Sequence, residues 1–220
     1  MSGIWFYLIF LVSIFFILGV ALKIFPKDAS FTIAIGAVIG ANIYNASAYP
    51  IEIVGLVFGI DSIVYTIFAF CLLFMYIFYG KKDMKVVLYT SMFSIFFTAF
   101  LFLMGNISQA GYTDAVMLSF LSYLSSILAT YLAVHAMVWA FEKLRSKNTN
   151  IFLSILVALI VVLVVNSTVY FGLSVACGAY SVSNFWATLG GSFVGKFIAS
   201  MCCLVIFAFH YKKKKVERGK

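Results

Sequence analysis

Charge is scarce in this chain. Of its 220 residues only 10% are Asp, Glu, Lys or Arg, whereas 65% are hydrophobic and 19% aromatic. A soluble domain of this size has no means of covering so much apolar surface with polar groups, which excludes a soluble enzyme or binding module and points to a polytopic membrane protein. Metal-type cysteine spacing is lacking as well. Cys71, Cys202 and Cys203 fall inside apolar stretches and only Cys177 lies near the outer end of one, so neither a disulfide framework nor a zinc pattern is implied. Vicinal Cys202 and Cys203 read as small packing residues. No Walker or dinucleotide-binding loop occurs, and Gly190-Gly191 reads as close packing or a break. An ATP-driven motor would therefore have to come from another chain, and no cofactor is implied.

What the chain does contain is about seven hydrophobic runs, each near the roughly 20 residues that a ~30 Å hydrocarbon core requires. They are Ile4 to Phe25, Phe31 to Tyr49, Ile51 to Tyr79, Val86 to Met104, Ala115 to Phe141, Ile151 to Val175 and Phe185 to His210. The expected fold is all-α: a membrane helix bundle forming a single integral domain over 1–220. The first run has no basic n-region before it and no small-residue cleavage site after it, so it reads as a spanning helix kept in the mature chain. The third run is too long for one upright helix. Pro50, Gly55 and Gly59 lie at its start, and its first third reads as a re-entrant or broken segment.

Orientation follows from the basic residues, because short loops rich in Lys and Arg are retained on the cytoplasmic side. Lys23 and Lys27 follow the first run, Lys81, Lys82 and Lys85 the third, Lys143, Arg145 and Lys147 the fifth, and Lys212 to Lys215 with Arg218 the seventh. The intervening connections, Ala48 to Glu52, Gly105 to Asp114 and Ala176 to Asn184, contain no Lys or Arg. Seven spans with the N-terminus outside and a basic cytoplasmic tail over 211–220 satisfy every loop. The net charge of +8 is thus a matter of topology. Scattered in short loops beside a bilayer, it gives no support to nucleic-acid binding and favours contact with anionic lipid instead.

Polar groups at membrane depth must find a partner or a wet cavity. The candidates are Asn42 and Asn45 in the second run, Glu52 and Asp61 in the third, His135 in the fifth, Asn166 with Ser167 and Thr168 in the sixth, and Lys196 in the seventh. Lys196 is the one cation placed in the middle of an apolar run, where a charge costs at least a few kcal/mol on insertion scales. It is the strongest candidate for a residue facing a polar cavity, with a buried salt bridge or snorkelling as the structural alternative. Asp61 is its candidate counter-ion. The asparagines serve either a binding site or interhelical hydrogen bonding, His135 is either a titrating or a structural histidine, and Glu52 fits the outer interface. The aromatic excess serves as belts and packing.

Five places resemble the queuosine-precursor transporters, also called the vitamin uptake transporter family. The segment from Ser126 to Arg145, with His135, Val138, Phe141 and the closing Leu144-Arg145, is similar to a family signature that runs from a Ser through small and apolar residues to a Gln, an Asp, a Phe and a Leu-Arg ending. Ala41-Asn42, Tyr79-Gly80-Lys81-Lys82 and Asn166 to Phe171 resemble further family elements, and Lys196 falls where the family carries a Lys in its last helix. The likeness runs from about Ala41 onward. It implies a six-helix transporter core over 31–210, with 4–25 as an additional N-terminal span. The departures are His135 for the Gln, Val138 and Asn166 for two acids, and an apolar residue near Leu73 for a third. Their loss changes the charge of the cavity and removes the obvious proton carriers.

The resemblance implies a multi-pass carrier in the cell membrane that takes up a small polar or planar solute at a midplane site, without covalent chemistry. Asn42, Asn45, Asp61, His135, Asn166 and Lys196 are the expected substrate-binding residues. Other classes stay open. A substrate-capture subunit would need a partner ATPase module, with Ala129, Ala133 and Ala136 as small docking residues. A lysine in a seventh span is also the layout of a retinal-binding photoreceptor, although the chain lacks that class's aromatic and proline elements. A purely structural membrane protein and a homo-oligomer remain further options.

Overall fold

Long apolar stretches with no water to hydrogen-bond their backbone have one local solution, the helix, and among the described residues the chain takes it everywhere but in one short hairpin and the turns. The computed structural model describes residues 2–47, 51–53, 56–58, 60–110, 113–178 and 185–218. Among them are seven helices: α1 (Ser2–Ile24), α2 (Pro26–Ser47), α3 (Ile60–Tyr79), α4 (Lys81–Ala110), α5 (Asp114–Ser146), α6 (Ile151–Ala176) and α7 (Phe185–Arg218). Five stretches, in α3 to α7, are long and apolar enough to cross a membrane, and α1 adds a shorter apolar stretch, Leu11–Ile24. The chain is an apolar helical bundle of the multi-pass membrane type.

The helix ends carry their own reasons. Asp28, Asp61, Asp83 and Asp114 occupy the first turns of α2 to α5, where the positive end of the helix dipole favours a carboxylate. Thr113 and Asn150 cap α5 and α6 by accepting the backbone N–H of Val116 and Phe152. Gly80, at φ +95°, supplies the left-handed turn between α3 and α4 that a side chain would strain.

The long third run is broken, as its Pro and Gly residues suggest. Its first part forms an antiparallel hairpin, β1 (Ile51–Ile53) with β2 (Leu56–Phe58), pairing Ile51 with Phe58 and Ile53 with Leu56. This hairpin is the one departure from an all-α bundle among the described residues. β2 packs on α7. The apolar tail boundary also shifts, since α7 continues to Arg218 through the lysine run. Lysines are good helix formers and complement the negative C-terminal end of the dipole. Gly190 and Gly191 lie inside this unbroken helix.

α3 is the central helix: 72% of its apolar window is buried, against 28% for α4 and α5. Phe68, Phe70, Leu72, Leu73 and Phe74 fill the core around it, and α5 packs most extensively on α6. Rings close one end of the bundle. His210 meets Phe74 and Phe78 edge-on, and Phe152 meets Phe207 and Tyr211 in the same way. The Lys27–Asp83 ion pair at 2.9 Å and the Lys81–Glu142 pair at 3.7 Å tie helix ends together at the surface.

Candidate functional site

Lys196 lies near the middle of α7, ten residues from Trp186, or about 15 Å along the helix axis. Its residue is 4% exposed, and it is the one buried charged side chain among the described residues. Uncompensated, such an ammonium costs several kcal/mol in desolvation, so its partners decide whether the position is tolerable. They are neutral. Lys196 Nζ donates to Ser167 Oγ at 2.6 Å and to Asn166 Oδ1 at 3.2 Å, both on α6, and sits 5.2 Å from the centroid of the Tyr65 ring on α3. An ammonium has three donors, so two are taken by α6 and one is left for the aromatic face or for an incoming acceptor.

Hydroxyls extend the site along α3 and α7. Ser62 Oγ donates to Ser192 Oγ at 3.2 Å, and Ser192 Oγ lies 3.4 Å from Ser167 Oγ, so three serines on three helices form a chain ending at the Lys196 ammonium. Thr66 is occupied within its own helix, donating to the Ser62 carbonyl at 2.8 Å. Tyr65 Oη and Thr130 Oγ1, on α3 and α5, lie near one another. Both are buried without a bond of proper geometry among the described residues. Buried hydroxyls are normally paired, and of these two residues Tyr65 is the one whose ring lies against the ammonium.

The break in the third run sets the depth of this cluster. Because Ser62 bonds to Ser192, the first turn of α3 lies level with a residue six positions inside α7 from Trp186, about 9 Å within the apolar span. The first turn of α3 therefore lies part-way along the apolar stretch of α7, about one helical turn from Lys196. Asp61 stands in that first turn, partly exposed, and its carboxylate faces the Ser62 backbone N–H. Its charge reaches Lys196, but the two make no direct ion pair. The carboxylate thus complements both the helix end and the ammonium from a distance.

Of the expected site residues, the structure brings together Lys196, Asn166 and Asp61. His135 goes elsewhere: it is exposed on α5, its Nδ1 donates to the Tyr131 carbonyl at 2.8 Å, and its ring lies 4.2 Å from that of Tyr131. Its Nδ1 is thus satisfied within its own helix. Asn42 and Asn45 fall on α2 by their backbone, with side chains outside the described residues, as is that of Glu52. Val138 and Leu73, which stand where family acids would fall, are buried apolar core residues. Ser62, Tyr65, Thr130 and Ser192 escaped the sequence reading. Ser192, Lys196 and Ser200 share a helix face at four-residue spacing, a signal that would have found Ser192.

Set against family models, curated proteins and solved structures, the chain finds no match in any of the three comparisons. Fold and site together define a membrane helical bundle with a polar centre built around one ammonium group.

Proposed function

We propose that the chain is a membrane transporter that takes up a small polar or planar solute, with Lys196 at the centre of its binding site. The topology that suits this reading is seven spans, N-terminus outside and C-terminus cytoplasmic, with a six-helix core and α1 as an added span. The observation that carries it is the start of α3 within the apolar stretch, about one helical turn from the level of Lys196. Transporter sites are typically made at the midplane by interrupted helices whose N-termini face the substrate, and here an interrupted span, an ammonium and a row of hydroxyls converge. Lys196, Asn166 and the serines offer donors and acceptors, and Tyr65 offers a ring on which a planar solute stacks. The likeness to queuosine-precursor transporters suggests a purine-like base as the first solute to try.

Of the small residues of α5 that the partner-ATPase reading would use, Ala136 alone is half-buried. Ala129 and Ala133 are fully buried inside the bundle, where they serve internal packing. The test is uptake into proteoliposomes of radiolabelled purine-like bases and of other small planar solutes. Saturable accumulation that disappears in Lys196→Ala is expected. If none of these solutes crosses faster than into empty liposomes, the transport reading fails.

A further inference from the structure

An open space lies away from Lys196, between α1 and α7. It is a groove of about 620 Å³, lined on one wall by Phe15, Gly19 and Lys23 and on the other by Ile206, Phe209 and His210. Gly19 helps to keep it open: a Cβ there would stand 3.9 Å from Ile206 Cγ1, and a larger side chain would fill the channel. The groove faces outward, since Phe16 and Phe209 on its rims are 71% and 75% exposed. From Phe15 to Lys23 it follows α1 for about 12 Å, most of the ~15 Å half-thickness of a hydrocarbon core.

Its two ends differ in chemistry. Along its length the walls are aromatic and aliphatic, whereas one end carries Lys23 and leads to the run Lys212 to Lys215 on the same helix as His210. Lys27, four residues beyond Lys23, is engaged by Asp83 at 2.9 Å. Lys23 makes no ion pair among the described residues. An apolar channel of leaflet depth, capped by an uncommitted ammonium at the basic face, matches a molecule with a hydrocarbon tail and an anionic head.

We propose that the α1/α7 groove is a binding site for one anionic phospholipid, its acyl chain along Phe15, Gly19 and Ile206 and its phosphate on Lys23. Native mass spectrometry of the full chain, equilibrated with equal amounts of phosphatidylglycerol and phosphatidylcholine, tests this. One phosphatidylglycerol should be retained about fivefold over the neutral lipid, the factor that a single lysine near a membrane surface supplies. Lys23→Gln should abolish that preference, and Gly19→Phe should remove the retained lipid of either kind, with helical content unchanged by circular dichroism. Should Gly19→Phe fail to fold, Ile206→Trp obstructs the same channel from the other wall. Equal retention of the two lipids by the unaltered protein would overturn the site. So would a preference that survives Lys23→Gln and is lost only when Lys212 to Lys215 become Gln, which places the lipid on the tail, or a stable lipid-free dimer, which gives the groove to a second copy.

Discussion

At the scale of single residues, the question is whether the Lys196 ammonium is there for stability or for binding. Its contacts argue against a stabilising role. A buried cation held by an amide oxygen, a hydroxyl and a ring gains less than a direct ion pair would offer, and replacing buried charges by apolar side chains of similar volume is often neutral or stabilising. Lys196→Met is therefore expected to unfold within a few degrees of the unaltered protein, or above it, while losing solute binding; a collapse of the fold would assign the lysine to structure instead. Asn166 depends on the same ammonium. Asn166→Leu removes one of its two acceptors and should cost about 1–3 kcal/mol in the Lys196 protein, and close to nothing once Lys196 is Met. Thermal unfolding of the four proteins of that cycle measures the coupling, and strictly additive losses would show that the amide and the ammonium do not act together. Lys196 was legible in the sequence because a lysine amid apolar residues needs no neighbours to be conspicuous. His135 shows the opposite case: an imidazole in an apolar run looks the same whether it faces a cavity or the outside, and only the rotation of α5 turned it outward.

At the scale of elements, apolar length located the helices well and their ends poorly. α4 and α5 run to 30 and 33 residues, beyond the apolar runs that announced them, because charged and polar residues continue a helix once it leaves the hydrocarbon. Ends are set by caps, and the caps are local. Asn150 accepts the Phe152 N–H at 2.8 Å at the start of α6. Asn150→Ala should lower stability by about 1 kcal/mol and speed hydrogen exchange over 151–154, without changing the α5/α6 packing. Unaltered exchange there would mean that water satisfies the same donors equally well. The broken third span was foreseeable from Pro50, Gly55 and Gly59, yet the hairpin that replaces its first part depends on pairing between two short strands and on the α7 surface beneath β2.

At the scale of the whole molecule, the charged connections gather on one face. Lys27 meets Asp83, Lys81 meets Glu142, Tyr76 donates to Glu142, and Lys23 and His210 line one groove, so the ends of α1, α3, α5 and α7 share that face with the starts of α2 and α4. Cys177 is at the far end of α6, about 39 Å along a 26-residue helix from the basic side, and it is the exposed member of the four free cysteines. A membrane-impermeant maleimide applied to intact cells should label Cys177 and lose its target in Cys177→Ser, whereas Lys143→Cys, in that Cys177→Ser background, should react only after permeabilisation. The reverse pattern would invert the orientation.

Hydropathy and charge, summed along the chain, determined that this protein folds as long apolar helices of the multi-pass membrane type, with its basic residues in alternate connections and one lysine in the middle of an apolar stretch. Those properties follow from the transfer of each segment into lipid, which is nearly independent of the other segments. The tertiary structure alone decided that Asn166, Ser167 and Tyr65 surround Lys196, that Ser192 and Ser62 continue the hydroxyl chain from Ser167 to the start of α3, and that α1 and α7 part to leave a groove. These depend on how each helix is turned about its axis and which neighbour it meets, a choice made by side-chain packing across the bundle.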